Sequence, residues 1–331
     1  VPRMLSVLML AFVLLTPYAH GEVGAGRVYI SVSVGSLASI VRDLCGNSAE
    51  IHVVVTDGVD PHSYNLNQED YDALERADLL VLADPNEFEI EAQIAEAFPD
   101  KPKVDFSDYA MSGASLHPLE GLGDENFHGY WMYPTNAIAI ARALVKALSY
   151  IDPMRAEYYR ARLSSFRDGV DRAWSDINET AEERGMFGSG AVVALPGAAY
   201  VAETLGLRVR GTMMKAPGVF VSGSEMDELV DKMRRGEVRY VVCPEEMRGT
   251  SIEDGAVELA SRGGAQVIYV RAFTGDLGYL NTMYYNLGSA GVEVGAGGED
   301  CTPWILAFLA AVGAAVLEGA VILRFRREVI A

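Results

Sequence analysis

The stretch Pro153–Arg184, PMRAEYYRARLSSFRDGVDRAWSDINETAEER, decides the fold. Its apolar residues Met154, Tyr158, Phe166, Val170, Trp174, Ile177 and Ala181 recur at spacings of three, four or a multiple, the period of one face of an α-helix. Pro153 opens the pattern and Gly185 closes it, in line with the preference of helices for proline at the start and glycine past the end. At 1.5 Å per residue such a helix runs roughly 48 Å, longer than one small lobe needs. Gly169 is its one weak point for bending.

On the N-terminal side, Val28–Val34, Ile51–Val55, Asp78–Ala83 and Lys103–Phe106 read as strands. Ser36–Leu44, Gln68–Ala77, Glu89–Phe98 and Thr135–Tyr150 read as helices between and after them. Apolar strands alternating with helices indicate a parallel sheet covered on both faces. Ser107–Tyr130 is left as a long loop, a length that in a compact domain points to function or mobility. On the C-terminal side the alternation restarts. Strands are expected at Ala191–Leu195, Arg208–Met213, Val238–Cys243 and Gln266–Arg271, and helices at Ala198–Leu205, Ser224–Arg235, Ile252–Arg262 and Tyr279–Leu287. Ser222 or Ser224 caps the second of these helices.

Two terminal segments stand apart. Arg3 precedes an apolar run from Met4 to Leu15 and then small residues around Ala19, the pattern of a signal peptide. Trp304–Leu323 is an apolar stretch followed by Arg324, Arg326 and Arg327, long enough for a membrane span with its basic flank inside. The expected fold class is therefore α/β, with two parallel-sheet α/β lobes bridged by a single long helix, plus a C-terminal transmembrane helix. The expected boundaries are 1–21 signal peptide, 27–150 N-terminal α/β lobe, 153–184 bridging helix, 188–290 C-terminal α/β lobe, 291–303 tether and 304–323 transmembrane anchor. That organisation places an extracytoplasmic domain in the cell envelope, held at the plasma membrane.

Composition narrows the function. Half of the 331 residues are hydrophobic and the net charge is −19, which argues against disorder and against nucleic acid, whose binding needs clustered Lys and Arg. Cys45, Cys243 and Cys301 have no zinc-ribbon or redox spacing, and whether Cys45 and Cys243 pair is open. There is no HExxH, GxSxG, P-loop or strand-borne GxGxxG, so no enzymatic motif is present.

In open parallel sheets ligands sit beyond the carboxyl ends of the strands. Two of the five histidines, His62 and His128, fall in loops that follow first-lobe strands, and neutral imidazole is the commonest ligand for zinc and related ions. Asp60-Pro-His-Ser-Tyr64 with Asp70–Ala77 resembles a signature of the zinc/manganese ABC-importer substrate-binding proteins. Pro134-Thr-Asn-Ala137 through Pro153, Ala199–Leu207 and Gly278–Asn286 are similar to that family in order and spacing. The resemblance implies two α/β lobes joined by one rigid helix and a divalent cation, zinc ahead of manganese, held between them as cargo. It also implies delivery to an ABC permease with a cytoplasmic ATPase, and no enzymatic activity.

Carried over by position, the family's four ligands fall on His62, His128, Leu195 and Arg271. The first two suit a metal; Leu195 and Arg271 depart from the family. Three readings stay open. Either other donors complete the shell (His117, Asp124 and Glu125 on the long loop, Cys243 and Glu245 after a second-lobe strand, Glu87 after the third strand), or a divergent paralogue binds a non-metal ligand with Arg271 gripping an anion, or the fold serves as a ligand-free envelope interaction protein.

Overall fold

The computed structural model describes residues 26–290 apart from 60, 124 and 217. The first lobe is built from β1 (Val28–Val34), α1 (Gly35–Cys45), β2 (Ala49–Val55), α2 (Gln68–Arg76), β3 (Leu79–Val81), α3 (Glu89–Ala97), β4 (Lys103–Val104), α4 (Phe106–Met111) and α5 (Pro134–Ile151). Its four strands are parallel in the order β2-β1-β3-β4. α4 breaks the expected long loop. It starts on a capping box in which Asp105 accepts from the Ser107 amide and Asp108 reaches back, a reciprocal satisfaction of the first free amides.

α6 (Ala156–Glu183) then crosses to the second lobe as one continuous helix of 28 residues, about 42 Å. Its buried face is Tyr159, Phe166, Gly169, Val170, Ala173, Ile177 and Ala181. The stripe therefore starts at Tyr159 and not at Met154 and Tyr158, which are 74% and 42% exposed. Tyr159 turns inward because its hydroxyl finds the buried Asp152 carboxylate at 2.9 Å.

The second lobe comprises β5 (Gly190–Val193), α7 (Ala199–Thr204), β6 (Arg208–Thr212), β7 (Met214–Ala216), β8 (Val219–Phe220), α8 (Gly223–Arg234), β9 (Tyr240–Pro244), α9 (Ser251–Gly263), β10 (Gln266–Val270) and α10 (Tyr279–Ala290). Its four-stranded sheet is parallel in the order β10-β9-β5-β6, and β7 and β8 form a separate antiparallel hairpin. Ser222 caps α8, with Glu225 completing the capping box.

One hydrophobic core runs through both lobes. It joins Val32, Leu37, Tyr130 and Leu144 of the first to Val193, Tyr200, Val242 and Tyr279 of the second, with the α6 stripe between them. Smaller cores back each sheet on its far side. Cys45 and Cys243 are both free and buried, in different cores.

The expected fold class needs one correction, at the transmembrane helix. No helix among the described residues is long and apolar enough to cross a membrane. The physical reason is that the two long helices, α5 and α6, are amphipathic and spend their apolar faces on the shared core. The stretches read as signal peptide (1–21), tether (291–303) and anchor (304–323) lie outside the described residues.

Gly169 is a packing position and α6 does not break there. A Cβ at this residue would lie 2.8 Å from Cδ1 of Leu280 on α10, so glycine lets the two helices approach. Gly169→Ala is expected to be close to neutral, because a gain of up to about 1 kcal/mol in helix propensity offsets a small shift of the Leu280 tip. Gly169→Leu should overpack the contact and lower stability by about 1–3 kcal/mol, read from the urea midpoint at constant slope.

Candidate functional site

The carboxyl ends of both sheets face one cleft, the location that open parallel sheets favour for ligands. On the first-lobe side, β2 feeds the loop that carries His62, and that loop is anchored by Asp70, which is 2% exposed. One Asp70 oxygen accepts from the Tyr64 hydroxyl (2.8 Å) and the Asn67 amide (3.0 Å), and the other lies 3.0 Å from His52 Nε2. Asn67 in turn caps α2. The Pro-His-Ser-Tyr and downstream Asp pattern is thus a loop clamp that presents His62.

His128 is placed by a second clamp. Its amide donates to Asn126 Oδ1 at 3.0 Å, and the following Gly129 is left-handed at φ 79°. Behind it, buried Asn136 bonds the Tyr130 carbonyl and both backbone groups of Ser115. The two imidazole centroids are 5.9 Å apart, and Phe88 packs against both, at 6.1 Å from His62 and 5.9 Å edge-on to His128. His128 Nδ1 is buried with no hydrogen-bond partner among the described residues. Burial, aided by neighbouring His62, pushes the His128 imidazole below its usual range, so it is neutral near pH 7 and its lone pair is available to a cation.

The turn before Phe88 is held by its own amide on the Asp84 carbonyl (3.0 Å) and by Glu91, whose two oxygens accept from the Ala83 amide (2.8 Å) and the Asp84 amide (2.6 Å). Glu91 is 1% exposed, and burial pushes its carboxyl up to about 7 despite those donors.

The second lobe closes over this wall with the turn Leu195-Pro-Gly197. A Cβ at Gly129 would lie 2.6 Å from the Gly197 carbonyl oxygen, so backbone meets backbone directly beside His128. The lobes are tied on both flanks. On one, Asn126 Nδ2 donates to the Pro196 carbonyl (3.0 Å) and the Tyr200 hydroxyl to the Asn126 carbonyl (2.6 Å). On the other, the Gly275 amide donates to Asp57 Oδ2 at 2.7 Å, while burial raises the Asp57 carboxyl above its ordinary range. Between the ties lies a cavity of about 430 Å3.

The structure brings together only part of the expected ligand set. His62, His128 and Leu195 line the cavity. His117 does not; its Nδ1 is 2.6 Å from Glu203, and its ring sits between Tyr133 and Tyr200, making it a strut between the lobes. Glu125 and Glu87 are exposed, and Asp124 lies outside the described residues. Cys243 is wholly buried in the core behind the second sheet, where burial pushes its thiol up to about 12. Glu245 accepts from the Tyr285 hydroxyl and lies 3.5 Å from Arg271 Nε, whose guanidinium sits over the Tyr285 ring. Neither of the pair lines the cavity, so Arg271 is engaged within its own lobe. Among the described residues, no three His, Cys, Asp or Glu side chains are grouped so as to hold a metal ion.

Asp57, Phe88, Trp131, Met214, Glu246 and Met247 line the cavity and were not found by sequence reasoning. The signal for Asp57 and Glu246 is the same strand-end rule that found His62: they follow β2 and β9 closely. For β9 that rule was applied one residue short, at Glu245.

With this geometry in hand, similarity becomes informative. The model of the ZnuA family, "Zinc-uptake complex component A periplasmic", matches residues 30–289. The chain belongs to this family. Among its relatives, the manganese ABC transporter substrate-binding lipoprotein PsaA of Streptococcus mitis is 26% identical, over 86% of this chain and 95% of that one. The metal ABC transporter substrate-binding lipoprotein ScbA of Streptococcus cristatus is 25% identical, over 86% and 96%. A crystal structure of ZnuA superposes with a TM-score of 0.65 at 19% identity, covering 81% of this chain and 99% of that one. A manganese-bound periplasmic metal-binding protein from Candidatus Liberibacter asiaticus gives 0.63 at 18% identity, over 80% and 98%. These two share the fold. The ZnuA-family chain is accordingly a metal ABC transporter substrate-binding protein and not an enzyme.

Two outcomes follow. Gly129→Ala should lower stability by about 1–3 kcal/mol and widen the cleft, since the new methyl group must push Gly197 away at a left-handed backbone position; urea unfolding and small-angle scattering read both effects. Glu91 binds its proton more tightly folded than unfolded, so it favours the fold below pH 4.5 and that contribution is lost as pH rises through about 7. Glu91→Gln should flatten this slope, on the order of 3 kcal/mol, in denaturation midpoints measured from pH 4.5 to 8.

Proposed function

We propose that this chain is the extracytoplasmic substrate-binding component of a metal-ion importer, capturing a divalent cation between its lobes and handing it to a permease driven by a cytoplasmic ATPase. The observation that carries the reading is the pair of imidazoles at the cleft, 5.9 Å apart, each presented by its own clamped strand-end loop. A cation held by both rings would sit under the Leu195–Gly197 turn, sheltered from solvent by the second lobe.

Zinc is the favoured cargo, because imidazole nitrogen suits zinc better than it suits manganese, which prefers carboxylate and carbonyl oxygen. Manganese appears in the names of several relatives, but among the described residues no carboxylate is grouped with the two rings as a metal site. The His62 and His128 pair is the proposed protein contribution to the metal; Leu195 offers none.

Titration calorimetry with zinc and then manganese tests this. One-to-one binding is expected, falling by about ten- to a hundredfold or more in His62→Ala and in His128→Ala. Binding that ignores both substitutions would overturn the assignment.

A further inference from the structure

The cleft is too large and too apolar to be built around a bare ion. An ion at about 2.0–2.3 Å from its donors fills little more than the space of one water, roughly 30 Å3. The cavity measures about 430 Å3, inside the range of sites that enclose small organic molecules. Its wall carries the side chains of Phe88, Trp131, Leu195, Met214, Met247 and Phe273. Among the described residues its titratable lining side chains are His62, His128, Asp57 and Glu246.

The donor count gives the same answer. A divalent metal takes four to six donors, and the cleft offers two imidazoles with no third His, Cys, Asp or Glu grouped with them among the described residues. Asp57 is committed to the Gly275 amide and lies 3.4 Å from the Ser36 hydroxyl. Ordered water is a poor substitute, because a buried water needs two to four polar partners and this wall is mostly hydrocarbon and aromatic. Among the described residues, the coordination positions beyond the two imidazoles are thus left to donors that come with the metal. Glu246 adds a second polar point: its Oε2 is buried with no partner among the described residues, an acceptor awaiting a hydroxyl or amine.

We infer that the cleft takes its divalent metal as a complex with a small, largely apolar organic chelator, His62 and His128 filling two open coordination positions and the chelator body packing against the aromatic and thioether wall. The hairpin of β7 and β8, which contributes Met214, Ala216 and Gly218, covers the chelator from the second lobe. The inference rests on the importer reading above and names the form of its cargo.

The test titrates the full chain with zinc chloride, with a one-to-one zinc–1,10-phenanthroline complex, and with phenanthroline alone. The complex should bind one-to-one and at least about tenfold tighter than zinc chloride, and phenanthroline alone should not bind. His62→Ala and His128→Ala should abolish binding of the complex. Ala216→Trp, at an exposed hairpin position, should fill the cavity and weaken the complex by about tenfold or more while circular dichroism reports an intact fold. Zinc chloride binding as tightly as the complex would overturn the inference and leave the importer reading standing, whereas no binding of either would remove both. Phenanthroline binding alone, or a complex indifferent to Ala216→Trp, would overturn the inference as well.

Discussion

The structure depends on a core that does not stop at the lobe boundary. Four buried tyrosines show how it is held. Tyr109 and Tyr130 donate to the carbonyls of Leu82 and Ala83 at the end of β3, Tyr200 crosses from the second lobe to Asn126, and Tyr279 crosses to Met132. Each ring fills apolar volume while its hydroxyl satisfies a backbone carbonyl that would otherwise be left dry. The α6 stripe lies against the same core. A change in the angle between the lobes must therefore expose apolar surface and break buried hydrogen bonds together, so the cleft is a shaped cavity and not a loose gap between two independent bodies.

Much of this was legible in the sequence, because the signals concerned are periodic. Parallel strands buried on both faces read as continuous apolar runs, and the α6 pattern announced itself over many turns. The near misses are those of phase and length. Tyr158 and Tyr159 both fit an apolar stripe locally, and only the position of Asp152 decides which of them turns inward. The six-residue α4 and the hairpin of β7 and β8 are too short to carry a period, and the Asp105–Asp108 cap was the one available mark of α4.

For the site, a strand-end rule reached His62 and His128, since a loop leaving a parallel strand must emerge at the cleft. It did not separate neighbours. Cys243 ends inside the core, Glu245 turns to Tyr285, and Glu246 lines the cavity, all within four residues. Which of them faces a ligand depends on the short helical turn after β9, a tertiary outcome that composition does not carry. The net charge of −19 was equally silent, because among the described residues only Asp57 and Glu246 of the acidic side chains line the cavity.

The two thiols among the described residues, Cys45 and Cys243, are chemical rivals of the cleft. Thiolate is the softest and strongest donor the chain owns for a thiophilic metal, and only the deprotonated sulfur competes. Cys45 and Cys243 are sealed in separate cores, where burial pushes both up to about 12. Near neutral pH both are held as protonated thiols, and both side chains are wholly buried. Inaccessibility thus keeps metal away from these two sulfurs.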